Sequence, residues 1–413
     1  MFEIVDNKKQ KAIIKVIGVG GCGGNAIDYM IEKNVMGVDF ICANTDLQAL
    51  QKSQASTIVQ IGEMLTQGLG AGSRPDTGKQ AAIDDKEKIV EAIDGADMLF
   101  ITAGMGGGTW TGATPVIAQI AKELGILTVA VFTKPFDFEW RRTQVAKDGI
   151  EELVNYVDSL ITIPNEKLMG VLGDEVTFVD AFGAANEVLY SAVLGISEII
   201  NNPGMINVDF ADVRTVMSEM GMAMIGSGFA EGSDRAEIAA KSAVACPLLE
   251  DVNLNNAKGI LVNISASKDF KMKEYFEIMD IIKQYASENA TIIVGNVIDE
   301  SMSNSIRVTM VATGLTGSYQ INEQNESVMQ AFVYDDKDKS TKESEDEDNP
   351  KEDESLNVFA DNSNNNNQTF SSDNDDEYDI PAFLRKNKWS YKEQFRMKWV
   401  RLELVCIPGK KLK

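Results

Sequence analysis

Short apolar runs ending in Gly, Asn, Thr or Pro alternate with helix-length stretches through the first two thirds of this chain. That alternation limits the fold more than any other feature. Residues 12–18, 39–43, 98–103, 127–132 and 159–163 read as buried strands, with helices predicted at 25–32, 84–93 and 115–123. Strands apolar on both faces and joined through helices imply a parallel sheet covered on both sides. In such a sheet a ligand sits outside the carboxyl ends of the strands, where this sequence concentrates its glycines. A long helical pattern at 180–201 leads to a second unit, with strands predicted at 260–265, 290–297 and 306–312 and a helix at 275–288.

Composition narrows the function. The net charge of −24 argues against a nucleic-acid footprint on the bulk of the chain, although much of that charge lies in 335–376, a run nearly free of aliphatic residues. Such a run cannot bury enough surface to offset its ordering entropy and reads as a disordered acidic linker. Cys22, Cys42, Cys246 and Cys406 form no CxxC pair, so neither a disulfide framework nor a protein-held metal is expected, and a reducing cytoplasm fits. The chain has no histidine, which removes the commonest neutral-pH base. Hydrolysis here must therefore use carboxylates, backbone dipoles or a metal carried by the ligand. Residues 1–10 carry no apolar core, so no signal peptide is expected. No stretch approaches the ~18 uninterrupted apolar residues of a spanning helix.

Two glycine-rich loops carry the chemistry. The first strand runs into Gly18-Val19-Gly20-Gly21-Cys22-Gly23-Gly24-Asn25 and then a helix. Glycines there let the backbone approach phosphate and aim helix-start N–H groups at the anion. Gly18, Gly20 and Gly23 also satisfy the dinucleotide fingerprint, with Asp46 as a candidate ribose acid. On this loop alone a nicotinamide oxidoreductase stays open, as does the plainer role of a tight, closely packed turn. The second loop, Ala103-Gly104-Met105-Gly106-Gly107-Gly108-Thr109-Trp110-Thr111-Gly112, also follows a buried strand and opens a helix. A dinucleotide enzyme has no need of it.

Gly106-Gly107-Gly108-Thr109, with Thr111-Gly112, resembles the tubulin signature, and the chain from about residue 12 to 315 resembles the FtsZ family of bacterial tubulin-like cell-division GTPases. The resemblance implies an α/β, Rossmann-like parallel-sheet GTPase domain (12–179) behind an N-terminal tail (1–11). A central helix (180–202) would join it to a smaller α+β C-terminal domain for subunit contact (203–316). A disordered acidic linker (317–377), a partner-binding peptide (378–386) and an atypical basic tail (387–413) would follow. It implies GTP or GDP as ligand, with Mg²⁺ carried by the nucleotide. Phosphate contacts would come from Gly20, Gly21, Cys22, Gly23, Asn25, Gly70, Ala71, Gly72, Gly104, Gly106, Gly107, Gly108, Thr109, Thr111 and Gly112, with Asn44 and Thr45 in a neighbouring loop. Thr133, Pro135 and Glu139 would lie on the sugar side, and Phe182 and Asn186 would read guanine. An aromatic ring over the base with an amide at its edge is sensible chemistry, and residues four apart on a helix share a face. Asn207, Asp209 and Asp212 match the family's catalytic loop, whose carboxylates serve the nucleotide of the adjoining subunit in a head-to-tail homopolymer. For acids of this spacing the plainer role is a helix's first turn. The segment Asp379-Ile380-Pro381-Ala382-Phe383-Leu384-Arg385 is similar to the family's docking peptide, implying the membrane tethers FtsA and ZipA as partners. Membrane contact would then be indirect, and the place of action the mid-cell division site.

The pattern breaks at tryptophan. Trp110 and Trp140 stand where the family has glycine, and Trp389 and Trp399 lie in the basic tail. A Trp held at positive φ costs roughly 1–2 kcal/mol. An indole aimed at the cradle would also remove phosphate contacts. The sequence therefore predicts GTP binding weaker than in a Trp110→Gly variant. A relative with an impaired site, altered coding and sequence error all stay open at this point.

Overall fold

A computed structural model describes residues 11–315 apart from 173–175, 203, 207, 220, 246–256 and 288. Asn207, the acidic linker, the docking peptide and the basic tail lie outside the described residues.

The strands are β1 (Ile14–Val19), β2 (Asp39–Asn44), β3 (Thr57–Gln60), β4 (Met98–Gly104), β5 (Leu127–Lys134), β6 (Ser159–Pro164), β7 (Gly221–Glu231), β8 (Gly259–Ala266), β9 (Thr291–Ile298) and β10 (Ser305–Leu315). They form one sheet in the order β3-β2-β1-β4-β5-β6-β7-β10-β8-β9. From β3 to β7 every pairing is parallel, whereas β10 runs antiparallel to both β7 and β8. The first strand lies between β2 and β4, with Val16 opposite both Phe40 and Phe100. The chain leaves β1 toward one side of the sheet and returns through β4 on the other, which makes their carboxyl ends a topological switch point.

Both faces of this sheet are buried, as the continuous apolar runs require. Val16, Phe100, Val129 and Val131 face a core shared with the Gly20–Glu32 helix and the long Phe178–Asn201 helix. Ile17, Ile101, Ala130 and Phe132 face another, covered by the Pro75–Asp84, Lys86–Ile93 and Gly108–Glu123 helices. A third core lies between β8, β10 and the helices Arg235–Val244 and Met272–Lys283. Inside it the buried Arg235 guanidinium pairs with Glu274 at 2.7 Å and with Asp269 at 3.1 Å. The long helix is fastened at both ends. Tyr29 donates to Glu187, and Glu198 accepts from Arg307, Asn263 and Ser265.

Several boundaries differ from those expected. The helices predicted from 25 and 115 begin at Gly20 and Gly108, so the glycines are their first turns. Tertiary packing overrides propensity there: a Cβ on Gly112 would stand 1.8 Å from Pro75 O of the crossing helix. The helix predicted at 84–93 spans Lys86–Ile93, set off at Asp85 from a preceding helix at Pro75–Asp84, and the one predicted at 275–288 spans Met272–Lys283.

Candidate functional site

The loops after β1 and β4 meet at the switch point. Gly20 has a φ of +71° and opens its helix after Val19, with no side-chain cap on the N–H groups. Uncapped N–H groups at a helix start are ready to receive an anion. The glycines of the fingerprint divide by role. A Cβ on Gly18 would lie 2.4 Å from Gly23 O, and one on Gly23 would lie 2.6 Å from Thr102 O, so these two serve helix–strand packing. Beside Gly21 there is open space instead, and Asn25 is exposed one turn further on.

Gly107 stands at the N-terminus of the second helix, also without a side-chain cap and also with open space beside it. The surrounding loops are tied to it. Gly106 N–H donates to Thr111 Oγ1 at 3.2 Å, and Met105 N–H to Thr133 O at 3.0 Å. The hydroxyls of Thr45 and Thr109 are 2.7 Å apart, and Asn44 Oδ1 accepts from Asp46 N. Asp46 itself caps the Leu47–Leu50 helix through Gln48 N and Ala49 N, a structural use rather than that of a ribose acid. Leu47 N–H reaches Gly68 O, ahead of the turn formed by Gly70, Ala71 and Gly72, and Ala71 packs against Gly108. Glycines with free space beside them, ringed by fixed N–H groups and hydroxyls, suit a chain of phosphates.

Cys22 lies inside this cradle, against Gly104, and its thiol bonds to Thr133. Burial pushes the thiol from 9.0 up to about 11. Its thiolate fraction at pH 8 is then roughly a hundredfold below that of an ordinary cysteine. Iodoacetamide should accordingly label Cys22 slowly at pH 8, with a rate climbing until about pH 11. Mass-spectrometric mapping of the labelled cysteines checks this. Labelling as fast as in an unfolded peptide would contradict the raised thiol pKa.

The sugar-side residues leave β5 together. Thr133 and Pro135 are buried, and Glu139 Oε1 accepts from Phe136 N at 3.1 Å. Glu139 Oε2 also pairs with Arg142 Nη1 at 2.7 Å. The Arg142 backbone lies where a Cβ on Gly106 would be, 2.7 Å from it, so this arginine belongs to the site although the sequence left it unassigned. Asn165, just past β6, is a second addition, because its Oδ1 is buried with no partner among the described residues. Phe182 and Asn186 share one stretch of the long helix. Phe182 meets Phe136 edge-on, with ring centroids 5.6 Å apart.

The catalytic candidates lie elsewhere. Asp209 caps the Phe210–Met217 helix by accepting from Asp212 N at 2.9 Å, and Asp212 accepts in return from Asp209 N. Both carboxylates are exposed. The same helix is anchored where strands begin. Ser159, opening β6, donates to Met217 O at 2.6 Å, and Arg214 Nη2 reaches the carbonyl of Asp97, just before β4. From Asp97 to Gly104 a strand rises about 20 Å. The acid-bearing helix is thus tied to the amino ends of these strands, whereas the glycine cradle lies at their carboxyl ends.

Neither tryptophan fills the cradle. Trp110 has helical backbone and is absent from the positive-φ residues, so the strain expected from sequence does not arise. Its indole enters the core, 2% exposed, against Phe132 and with Nε1 donating to Met105 Sδ. Trp140, 85% exposed, faces solvent at the start of the Trp140–Leu153 helix.

Comparison with known proteins agrees with this architecture. The profile described as Tubulin/FtsZ family, GTPase domain, matches residues 13–173, and that described as FtsZ family, C-terminal domain, matches 221–316. The chain is 60% identical over 316 residues to the cell division protein FtsZ of Pseudomonas aeruginosa, covering 76% of this chain and 80% of that protein. It is 50% identical over 392 residues to that of Buchnera aphidicola subsp. Schizaphis graminum, covering 94% and 99%. A solved FtsZ dimer from M. jannaschii superposes with a TM-score of 0.71 at 43% identity, covering 74% of this chain and 89% of that one. With both domain profiles matched and relatives this similar along most of its length, the chain belongs to the Tubulin/FtsZ family of GTPases.

Proposed function

We propose that this chain binds GTP in the cradle at the switch point and assembles head to tail, so that the Asp209–Asp212 edge of one copy completes the site of the next. One observation carries the reading: the acid-bearing helix is tied to the residue just before β4, whereas the cradle opens at that strand's carboxyl end, about 20 Å further along. No single chain can close that gap, but stacking edge on edge does.

The chemistry is transfer of a phosphoryl group to water. N–H groups of Gly20, Gly21, Gly107 and Gly108, with the hydroxyls of Thr109 and Thr111, hold the phosphates and spread the developing charge. Mg²⁺ carried by the nucleotide supplies further charge compensation. Glu139 and Arg142 bound the sugar side, and Phe182 and Asn186 the base. The incoming acids orient the attacking water and accept its proton, and the family resemblance gives Asn207 a share in the same step. Each carboxylate gives one oxygen to the capping bonds and keeps a second for the water.

By the same family reading the chain acts in the cytoplasm at the mid-cell division ring. Residues 12–179 and 203–316 act as two domains joined by the helix at 180–202. Asp379 to Arg385, following the acidic run 335–376, docks to FtsA and ZipA, and a deletion of that peptide that still bound either tether would remove the assignment. The test of the main reading is turnover per chain against protein concentration. It should vanish below an assembly threshold and rise steeply above it. A turnover per chain independent of concentration would show a site complete within one copy.

A further inference from the structure

Phe138 and Trp140 stand out among the apolar side chains, 71% and 85% exposed within one turn of chain at the rim of the cradle. Phe138 is held from beneath. Phe138 stacks on the buried Phe136, with centroids 5.2 Å apart and planes within 10°, and Trp140 opens a helix whose Arg142 packs against Gly106. An aromatic surface fixed from beneath loses little freedom when it is covered. On the opposite edge Met205, 84% exposed, and its neighbour Ile206 precede the acid pair by only a few residues. Charge on the indole's side is mixed, with Arg142 paired to Glu139 and with Asp137 and Arg141 exposed, whereas Asp209 and Asp212 are the exposed acids that follow the methionine.

We propose that Phe138 and Trp140 form the anchor of the head-to-tail contact, covered by the Met205–Ile206 edge of a second copy of this chain. The inference rests on the assembly reading above and names the residues that hold the contact. Delivering Asp209 to the cradle brings Met205 and Ile206 along, and thioether against aromatic ring is a favourable pairing. Tryptophan at the centre of an interface commonly dominates its affinity.

The experiment measures the threshold concentration for GTP-driven assembly of the full chain by sedimentation. Trp140→Ser should raise it about tenfold or more, Met205→Ser should act in the same direction, and Trp140→Phe should restore most of the loss. GTP affinity of the unassembled chain should stay within about twofold of the parent. A rise under about fivefold for Trp140→Ser overturns the anchor, and so does a loss of GTP affinity below threshold, which would put the indole in the nucleotide site. Neither result touches head-to-tail completion. That reading is tested separately, and fails if the parent's turnover per chain is independent of concentration.

Discussion

Replacing Asp212 by alanine should leave GTP bound and stop its turnover. The carboxylate lies on the edge remote from its own chain's cradle, so the monomer's nucleotide affinity has no reason to change. Loss of a group that orients and deprotonates water should lower the rate by about 10²-fold or more. Asp212 also supports the cap of the Phe210–Met217 helix, but its share of that reciprocal pair is worth only about 1 kcal/mol, and the Asp209 side chain still caps. Added to the parent protein, the variant should depress turnover beyond simple dilution, because each inserted copy leaves a neighbour's nucleotide without acids. Nucleotide-binding titration beside phosphate release separates the outcomes. A variant that fails to bind GTP as a monomer would contradict the split site.

Trp110→Gly should unfold the protein more readily rather than improve it. The substitution removes an indole packed between Phe132 and Met105 in the core beneath the sheet. Emptying such a position costs about 3–5 kcal/mol, and glycine in a helix adds about 1. A fall in Tm of roughly 10 °C is the expected size for a chain of this length. The sequence alone predicts the reverse benefit, tighter GTP binding, because it sees only glycine replaced beside a phosphate loop. Thermal unfolding together with GTP titration decides the matter. Unchanged stability with much tighter binding would show that the indole reaches the cradle after all.

That contrast shows what the sequence could carry. β1, β2, β4, β5 and β6 were legible because a strand buried on both faces must be apolar throughout. β3 escaped notice because its four residues lie at the sheet's edge, two of them exposed. β7 was missed because Gly221, Gly226 and Gly228 dilute its pattern, and Gly228 is needed where a Cβ would stand 2.1 Å from Ala239 O. In the site, the glycine loops were visible as a pair. That Gly18 and Gly23 serve packing while Gly21 and Gly107 leave space depends on Thr102 and on the crossing helices. The direction of the Trp110 ring was equally hidden, since Phe132 and Met105 decide it through tertiary contact. Arg142 became readable only once its backbone was seen against Gly106. The separation of the acids from the cradle is a property of strand order, which no local pattern encodes.

The central claim is that one catalytic site is built from two copies, and complementation between two inactive chains tests it most directly. Gly107 has a φ of −91° and open space beside it, so Gly107→Asp can fold while placing a carboxylate where phosphate belongs. That chain should bind no GTP yet keep its acid edge intact, whereas Asp212→Ala keeps the cradle and lacks the acid. Neither should turn over GTP alone. The account predicts that phosphate release reappears when the two purified chains are mixed above the assembly threshold. A mixture as inert as its parts, although the two chains co-sediment, would contradict it.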